Sequence, residues 1–162
     1  MAYVLEQSQE IPASLDEVFA FFSDPANLAR ITPDWLSFRI HGEAPTPLRA
    51  GSRIEYRIRW GPARIRWVTR IESWNPPVGF TDVQEKGPYR SWHHSHRFTP
   101  APRGGVGVLM DDVVRYELPF GPLGRLVHTV RVRRQLEEIF QFRRRAIGEI
   151  FPDGGRARAR IS

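Results

Sequence analysis

The chain has 162 residues, a length typical of one domain whose hydrophobic core needs no covalent staple. It contains no cysteine, which excludes disulfides, thiolate zinc sites and a cysteine nucleophile, and which fits a reducing compartment. The formal net charge is +6, and most of the excess lies at the carboxyl end, where residues 143–162 hold six arginines and two acids.

The amino terminus shows no targeting signal, because it lacks a basic segment followed by an apolar run. Nowhere does the sequence reach the roughly 18 consecutive apolar residues of a membrane span. We therefore expect a soluble cytoplasmic protein without stable membrane insertion.

The first elements in chain order are a strand and two short helices. Residues 3–11 alternate and predict the strand. Ser14 and Glu17 have the spacing of a capping box and predict the start of a helix. Asp24 followed by Pro25 predicts the start of a second, shorter helix, with the aspartate as N-cap.

The rest of the chain predicts six strands and one long helix. The strands fall at residues 36–42, 53–60, 64–74, 80–85, 90–99 and 108–118. Short turns join them, which is typical of an antiparallel meander.

An apolar stripe predicts a helix from about Leu123 to about Ile150, with a small phase shift near Val132. Such a helix must bury its stripe, so the sheet has to curve around it and leave a tapering cavity. Residues 152–162 are predicted to be a basic, disordered tail.

The predicted fold class is therefore α+β, a helix-grip arrangement in which a curved antiparallel seven-stranded sheet wraps a long C-terminal helix. Two short helices follow the first strand. Residues 1–151 form the predicted domain.

Four sequence motifs carry a resemblance to a known superfamily. They are IPASLDEVF at residues 11–19, WNPP at 74–77, GPYRSWHHSHRF at 87–98 and DVVRYELPFGPLG at 112–124. With the order of elements, they make the chain similar to the START / Bet v 1-like (SRPBCC, polyketide cyclase-like) superfamily, in a bacterial ligand-binding branch. The resemblance implies a helix-grip fold around a ligand cavity. It names no ligand, because this fold hosts lipid carriers, quinone-binding proteins, hormone receptors and cyclases.

Polar and aromatic side chains alternate on one predicted strand. Trp92, His94, His96 and Phe98 share a face, which the two aromatic residues indicate to be the inward one. On the next strand Asp112 shares a face with Met110, Val114 and Tyr116. Antiparallel pairing sets His96 or His94 opposite Asp112.

Four interpretations of the inward polar patch His94, His96 and Asp112 stay open at this point. The three side chains can satisfy one another in a buried network, or orient the polar group of a ligand. They can also act in acid–base catalysis. The fourth interpretation is a metal site, but one inward carboxylate is a thin signal. We expect neither a metal nor another cofactor.

The predicted ligand-binding residues are inward-facing on the sheet or on the apolar stripe of the long helix. They are Tyr56, Trp60, Trp67, Phe80, Trp92, His94, His96, Phe98, Met110, Asp112, Val114, Tyr116, Leu126 and Val130. Asp82 and Gln84 would face inward with Phe80 unless a bulge changes the register, and the sequence leaves that choice open. An outward stripe of arginines is expected to pair with Glu55 and Glu72: Arg53, Arg57, Arg59, Arg66 and Arg70.

The function that the sequence favours is non-enzymatic binding or transport of a small hydrophobic molecule, such as a lipid, a quinone or a polyketide-like aromatic. The loop at residues 119–123 would be a hinge at the cavity mouth. One alternative is a cyclase- or dehydratase-like enzyme using His94 or His96 with Asp112. A less favoured alternative is contact with RNA or the ribosome through the arginine-rich end, including Arg143. The oligomeric state stays open.

Overall fold

A computed structural model describes residues 2–101, 107–119 and 131–152 of the chain. Seven strands form one antiparallel sheet in the order β1-β7-β6-β5-β4-β3-β2. Their bounds are β1 Ala2–Ile11, β2 Arg39–Ile40, β3 Arg53–Trp60, β4 Ala63–Asn75, β5 Gly79–Lys86, β6 Ser91–Pro100 and β7 Val108–Glu117. The sheet is open and curved, as the sequence predicted.

The helices lie before and after the strands of the meander. Helix α1 spans Leu15–Phe22, two 3-10 helices span Pro25–Ile31 and Asp34–Leu36, and helix α2 spans Arg133–Ile150. The Pro25–Ile31 segment is thus 3-10 rather than α-helical. The Asp34–Leu36 turn and the two-residue β2 replace much of the strand predicted at 36–42.

Helix α1 begins where the sequence predicted. The backbone N–H of Glu17 donates to Ser14 Oγ at 3.3 Å, and the Ser14 N–H donates to Glu17 Oε2 at 2.9 Å, which completes the capping box. The Asp24 side chain likewise accepts from the Ala26 N–H at 2.9 Å and caps the 3-10 helix that starts at Pro25.

The long helix is preceded by a π-helical turn at Arg131 and Val132, where the apolar spacing predicted a phase shift. Helix α2 then buries Leu136, Phe140 and Ile147. Its predicted start near Leu123, the hinge at 119–123 beyond residue 119 and the tail beyond residue 152 lie outside the described residues. None of the helices in the described ranges is both long and apolar enough to cross a membrane.

A β-bulge on β4 changes which residues face the core. Ile71 pairs with Asp82, but Ser73 pairs with Thr81, so Glu72 is an extra residue on β4. Beyond the bulge Trp74 stands opposite Phe80, and the two ring centroids lie 5.4 Å apart. The bulge therefore keeps large side chains facing inward on both halves of the strand.

Among the described residues, the core forms two packed clusters on the concave face of the sheet. The first gathers around α1 and includes Phe19, Phe22, Phe98 and Ile147. The second lies under the amino-terminal part of α2 and contains Trp67, Tyr89, Val114, Tyr116, Leu136 and Phe140. The cavity described next opens between the two clusters, because its wall draws residues from both.

Candidate functional site

A cavity lies between the sheet, helix α2 and the Pro25–Ile31 3-10 helix. The cavity volume open to the centre of a water-sized sphere is about 150 Å³. On the order of ten such spheres fit, which is room for a small organic molecule. Its wall is mostly apolar, with polar groups from Thr69, Asp82, His94, His96 and Arg143. Such a lining is typical of a site for an apolar ligand with one polar end.

Half of the predicted ligand-binding residues line this cavity. The residues on its wall are Tyr56, Trp60, Trp67, Phe80, Trp92, His94 and His96. Five others are not on the wall and are buried elsewhere on the concave face: Phe98, Met110, Asp112, Val114 and Tyr116. The reason is that β7 and the far end of β6 are covered by the packed clusters. Leu126 and Val130 lie outside the described residues.

Aromatic rings build one side of the wall. Tyr56 stacks on Trp67 with ring centroids 5.8 Å apart, and Trp67 meets Trp92 edge-on at 5.4 Å. The ring centroid of Tyr89, from the turn between β5 and β6, lies 4.8 Å from that of Trp92. Its hydroxyl is buried without a hydrogen-bond partner among the described residues, and burial raises its pKa far above the ordinary value. Sequence reasoning missed Tyr89, because turn residues show no periodicity.

Asp82 and Gln84 both face inward, which answers the question that the sequence left open. Gln84 donates from Nε2 to the Tyr89 carbonyl at 2.8 Å and accepts from the Tyr89 N–H at 3.3 Å, so it holds the turn. Asp82 instead lines the cavity, with a side chain 14% exposed. The bulge at Glu72 lies on β4, so it leaves the inward phase of β5 intact.

Register places the polar residues on three neighbouring strands. Asp82 on β5 pairs with His94 on β6, and His96 pairs with Asp112 on β7. Asp112 is 1% exposed, and its Oδ1 lies 2.6 Å from His96 Nδ1. The predicted inward patch is therefore one cluster with Asp82 added to it.

The electrostatics of the cluster follow from burial and charge. Burial lowers the pKa of His96, but the carboxylates of Asp112 and Asp82 outweigh it and raise the pKa to about 9. Burial and the neighbouring His96 charge lower the pKa of His94. Burial acts to raise the pKa of Asp112, yet the two histidines hold it well below its usual range. Without a bound ion, the cluster is a His96–Asp112 ion pair beside a neutral His94.

Arg143 faces the cavity although the sequence placed it in the basic end. Its guanidinium carbon lies 5.2 Å from the centroid of the Phe140 ring, and its Nε and Nη1 atoms are buried. Neither atom has a hydrogen-bond partner in the described part of the chain. Its neighbours Arg144 and Arg145 are exposed.

The outward arginines are only partly paired. Arg66 bonds Glu55 at 2.6 Å and Arg70 meets Glu72 at 3.5 Å, as expected. Arg53 pairs with Glu85 instead, at 2.7 Å. Arg57 and Arg59 line a surface hollow with Arg39 and Arg64. Within the described ranges no carboxylate forms an ion pair with these four.

A sequence profile described as "Polyketide cyclase / dehydrase and lipid transport" matches residues 11–140. The chain belongs to this family. The match covers the strands that carry the aromatic wall, both histidines and Asp82. It ends at Phe140, inside helix α2, three residues before Arg143.

Several solved structures share the fold of this chain, and no curated protein matches it in sequence. TTHA0849 from Thermus thermophilus has a TM-score of 0.71 at 17% identity, over 91% of this chain and 95% of that one. Ara h 8.0201 has a TM-score of 0.62 at 12% identity, over 92% and 99%. Major latex-like protein 151 from Panax ginseng has a TM-score of 0.59 at 13% identity, over 93% and 98%. At these identities the likeness concerns the fold alone.

Proposed function

We propose that this protein binds a small, largely apolar molecule that carries one hydrogen-bond acceptor group, and that it acts as a carrier rather than an enzyme. The observation that carries the proposal is the guanidinium of Arg143 on the wall of an apolar cavity, with two buried nitrogens that no described residue pairs. Buried guanidinium N–H groups without an acceptor are costly. A carboxylate, phenolate or similar head group in the cavity would offset that cost.

The shape of the site supports the same ligand class. Aromatic and aliphatic side chains supply the wall over most of its extent, so the body of the ligand is apolar. The Arg143 guanidinium can only donate, and the Tyr89 hydroxyl can donate as well, so an acceptor at the polar end of the ligand would satisfy both. Lipids, quinones and polyketide-like aromatics all meet both conditions, and the family description includes lipid transport.

Two dyes with the same ring system test the proposal. 1-Anilinonaphthalene-8-sulfonate carries an anionic group, and N-phenyl-1-naphthylamine is the same molecule without it. We expect the wild-type protein to bind both dyes, and to bind the sulfonate dye more tightly than the neutral dye. Arg143→Met should weaken sulfonate binding about tenfold or more, since a hydrogen bond to a charged group contributes about 1.5–3 kcal/mol. The neutral dye should bind Arg143→Met as it binds the wild type.

Arg144→Met is the matched control, because it removes the same charge from an exposed neighbouring position. It should leave both affinities unchanged. Equal sulfonate affinity in wild type and Arg143→Met, or no binding of either dye by the folded protein, would reject the proposal. Native mass spectrometry of freshly purified protein should also reveal a co-purifying acid that Arg143→Met retains less well.

The two alternatives stay predictions. The catalytic alternative needs a histidine that opens on the cavity, and both His94 and His96 line it. No substrate follows from the fold, so the carrier role is the simpler inference. The RNA-contact alternative retains Arg144 and Arg145, which are exposed, but Arg143 is turned into the cavity. A cytoplasmic location stays a prediction as well.

A further inference from the structure

Each histidine of the buried cluster has one ring nitrogen toward Asp82 and the other toward Asp112. Asp82 Oδ2 lies 3.6 Å from His94 Nδ1 and 3.5 Å from His96 Nε2. On the opposite side, Asp112 Oδ1 lies 2.6 Å from His96 Nδ1 and 3.6 Å from His94 Nε2. Two imidazoles thus stand side by side between two carboxylates, with ring centroids 3.9 Å apart.

The inner atoms have the spacing of a metal-binding set. One ligand atom from each of Asp82, His94 and His96 lies within 4.8 Å of the other two. A transition ion with bonds of about 2.1 Å has neighbouring ligand atoms about 3.0–3.4 Å apart in octahedral or tetrahedral geometry. The Asp82 distances of 3.5 and 3.6 Å exceed this range by only a few tenths of an ångström.

The outer carboxylate is placed as a supporting group for metal-bound histidines. A histidine that binds a metal commonly presents its other N–H to a carboxylate, which fixes the ring and its tautomer. Asp112 can do this for both rings at once, and it is buried behind them. Among the described residues, the Asp112 carboxylate makes its close polar contacts with these two histidines, which is the placement that a supporting carboxylate needs.

Aromatic packing holds the two rings in place. The Phe80 ring centroid lies 4.4 Å from that of His96, and the Phe140 centroid lies 5.9 Å from that of His94. The backbone adds rigidity, because Asp82, His94, His96 and Asp112 all sit within paired strands. Sites built on strands keep their geometry better than sites on loops.

We propose that Asp82, His94 and His96 bind one divalent transition-metal ion, with Asp112 as the supporting carboxylate. Two nitrogens and one oxygen suit Zn²⁺ or Fe²⁺. Two carboxylates balance the charge of a divalent ion when both imidazoles are neutral. The three ligands line the cavity, whereas Asp112 does not, so the remaining coordination positions face the cavity. The sequence led us to expect no metal because it assigned only one inward carboxylate, and Asp82 supplies the second.

The competing explanation is that the four side chains only neutralise one another. A metal-free network and a metal site make different predictions for uptake of ions. We therefore treat the purified protein with a chelator, remove the chelator, and titrate with Zn²⁺ and with Co²⁺. Calorimetry and metal analysis after dialysis give the stoichiometry, and the Co²⁺ absorption spectrum reports the donor set. We expect one ion per chain, with a low-coordinate Co²⁺ spectrum showing nitrogen ligands.

Variants assign the ion to these residues. Asp82→Asn and His94→Gln should each abolish stoichiometric uptake. Asp112→Asn should weaken it about 10–100-fold, as loss of a supporting carboxylate does. His93→Gln is the matched control, because His93 lies on the same strand but faces outward, 3.3 Å from Glu72. It should bind as the wild type does. Circular dichroism checks that each variant is folded.

No stoichiometric uptake by the wild type would overturn the proposal, and so would unchanged uptake by folded Asp82→Asn. Uptake lost in His93→Gln would also overturn it, because the ion would then sit on the outer face. Failure of the metal proposal can be told apart from failure of the carrier proposal. The neutral dye measures ligand binding in the cavity of chelator-treated protein, whether or not an ion binds.

Discussion

The indole Nε1–H of Trp67 donates to Thr69 Oγ1 at 3.1 Å, although the two residues lie only two positions apart on β4. The Tyr56 hydroxyl also lies 3.3 Å from the same oxygen. One buried hydroxyl therefore serves two aromatic side chains of the cavity wall. Threonine at this position fixes the orientation of the rings that a ligand would contact.

Replacing this hydroxyl tests its role. Thr69→Val keeps the shape but leaves the Trp67 N–H without its acceptor, so we expect a loss of about 1–3 kcal/mol in the free energy of unfolding. Urea denaturation followed by tryptophan fluorescence measures it. Thr81→Val is the control, because Thr81 shares a hydrogen bond with Ser95 at a half-buried site. A smaller loss in Thr69→Val than in Thr81→Val would contradict this account.

Phe98 tests whether a residue on the concave face contributes to core stability or to ligand binding. It is fully buried against Phe19 and Phe22 and does not line the cavity. Phe98→Ala should cost about 3–5 kcal/mol of stability and leave the affinity of the folded protein for the neutral dye unchanged. Chemical denaturation and dye titration give the two values. Trp35→Ala, at an exposed site, should change stability by less than about 0.5 kcal/mol. If Phe98→Ala abolished dye binding while folded, Phe98 would belong to the site.

Two glycines predict opposite outcomes for the same substitution. Gly79 has φ +154°, and a Cβ there would overlap the His96 carbonyl oxygen. Gly79→Ala should therefore lower the melting temperature and disturb the strand that carries the histidines. A Cβ on Gly148, within α2, meets no atom within 4 Å. Gly148→Ala should stabilise the protein by about 0.5–1 kcal/mol. Calorimetric scans of both variants check the signs, and a stable Gly79→Ala would be inconsistent with this packing.

The capping box of α1 makes a prediction for pH. Hydrogen bonds from Ser14 lower the pKa of Glu17 below its ordinary value of 4.5. A lowered folded-state pKa means that the contribution is present above the unfolded-state pKa and is lost as the pH falls through the folded-state value. Ser14→Ala should return the pKa of Glu17 toward 4.5, which NMR titration measures.

Filling the cavity should block the ligand without touching a polar group. Leu28 is half-buried and lines the wall, whereas its neighbour Ala29 is exposed. Leu28→Trp should lower the affinities for both dyes by similar factors, because it removes cavity volume rather than a hydrogen-bond donor. Ala29→Trp should leave both affinities unchanged. If Leu28→Trp weakened binding of the sulfonate dye much more than binding of the neutral dye, the effects of cavity volume and of charge would not be separable. That result would contradict the proposed site.

The fold was predictable because its signals are local and repeated. Alternation located most strands within a residue or two, and the capping box located α1. Period two also placed His94 and His96 on one inward face, since register is fixed once a face is buried. The extent of the second strand was overpredicted, because alternation alone does not show where a backbone finds a partner strand.

The site was less predictable, because it depends on contacts between distant residues. Asp82 joined the cluster through its pairing with His94, which no local pattern reveals. Arg143 did leave a signal that was missed: Leu136, Phe140, Arg143 and Ile147 follow helical spacing, so the arginine lies on the apolar stripe. Its two neighbours Arg144 and Arg145 are exposed, so composition alone assigns the whole run of arginines to the surface.

The extra residue Glu72 divides β4 into two halves in which opposite sets of side chains face inward. Up to Ile71 the odd-numbered side chains turn toward the helix, and from Trp74 the even-numbered ones do. A designer who extrapolated from the first half would assign Ser73 to the interior and Trp74 to the surface, and would err on both. Removing that single glutamate would close the bulge and restore simple alternation, with Ser73 still outward opposite Thr81 and Trp74 still inward opposite Phe80.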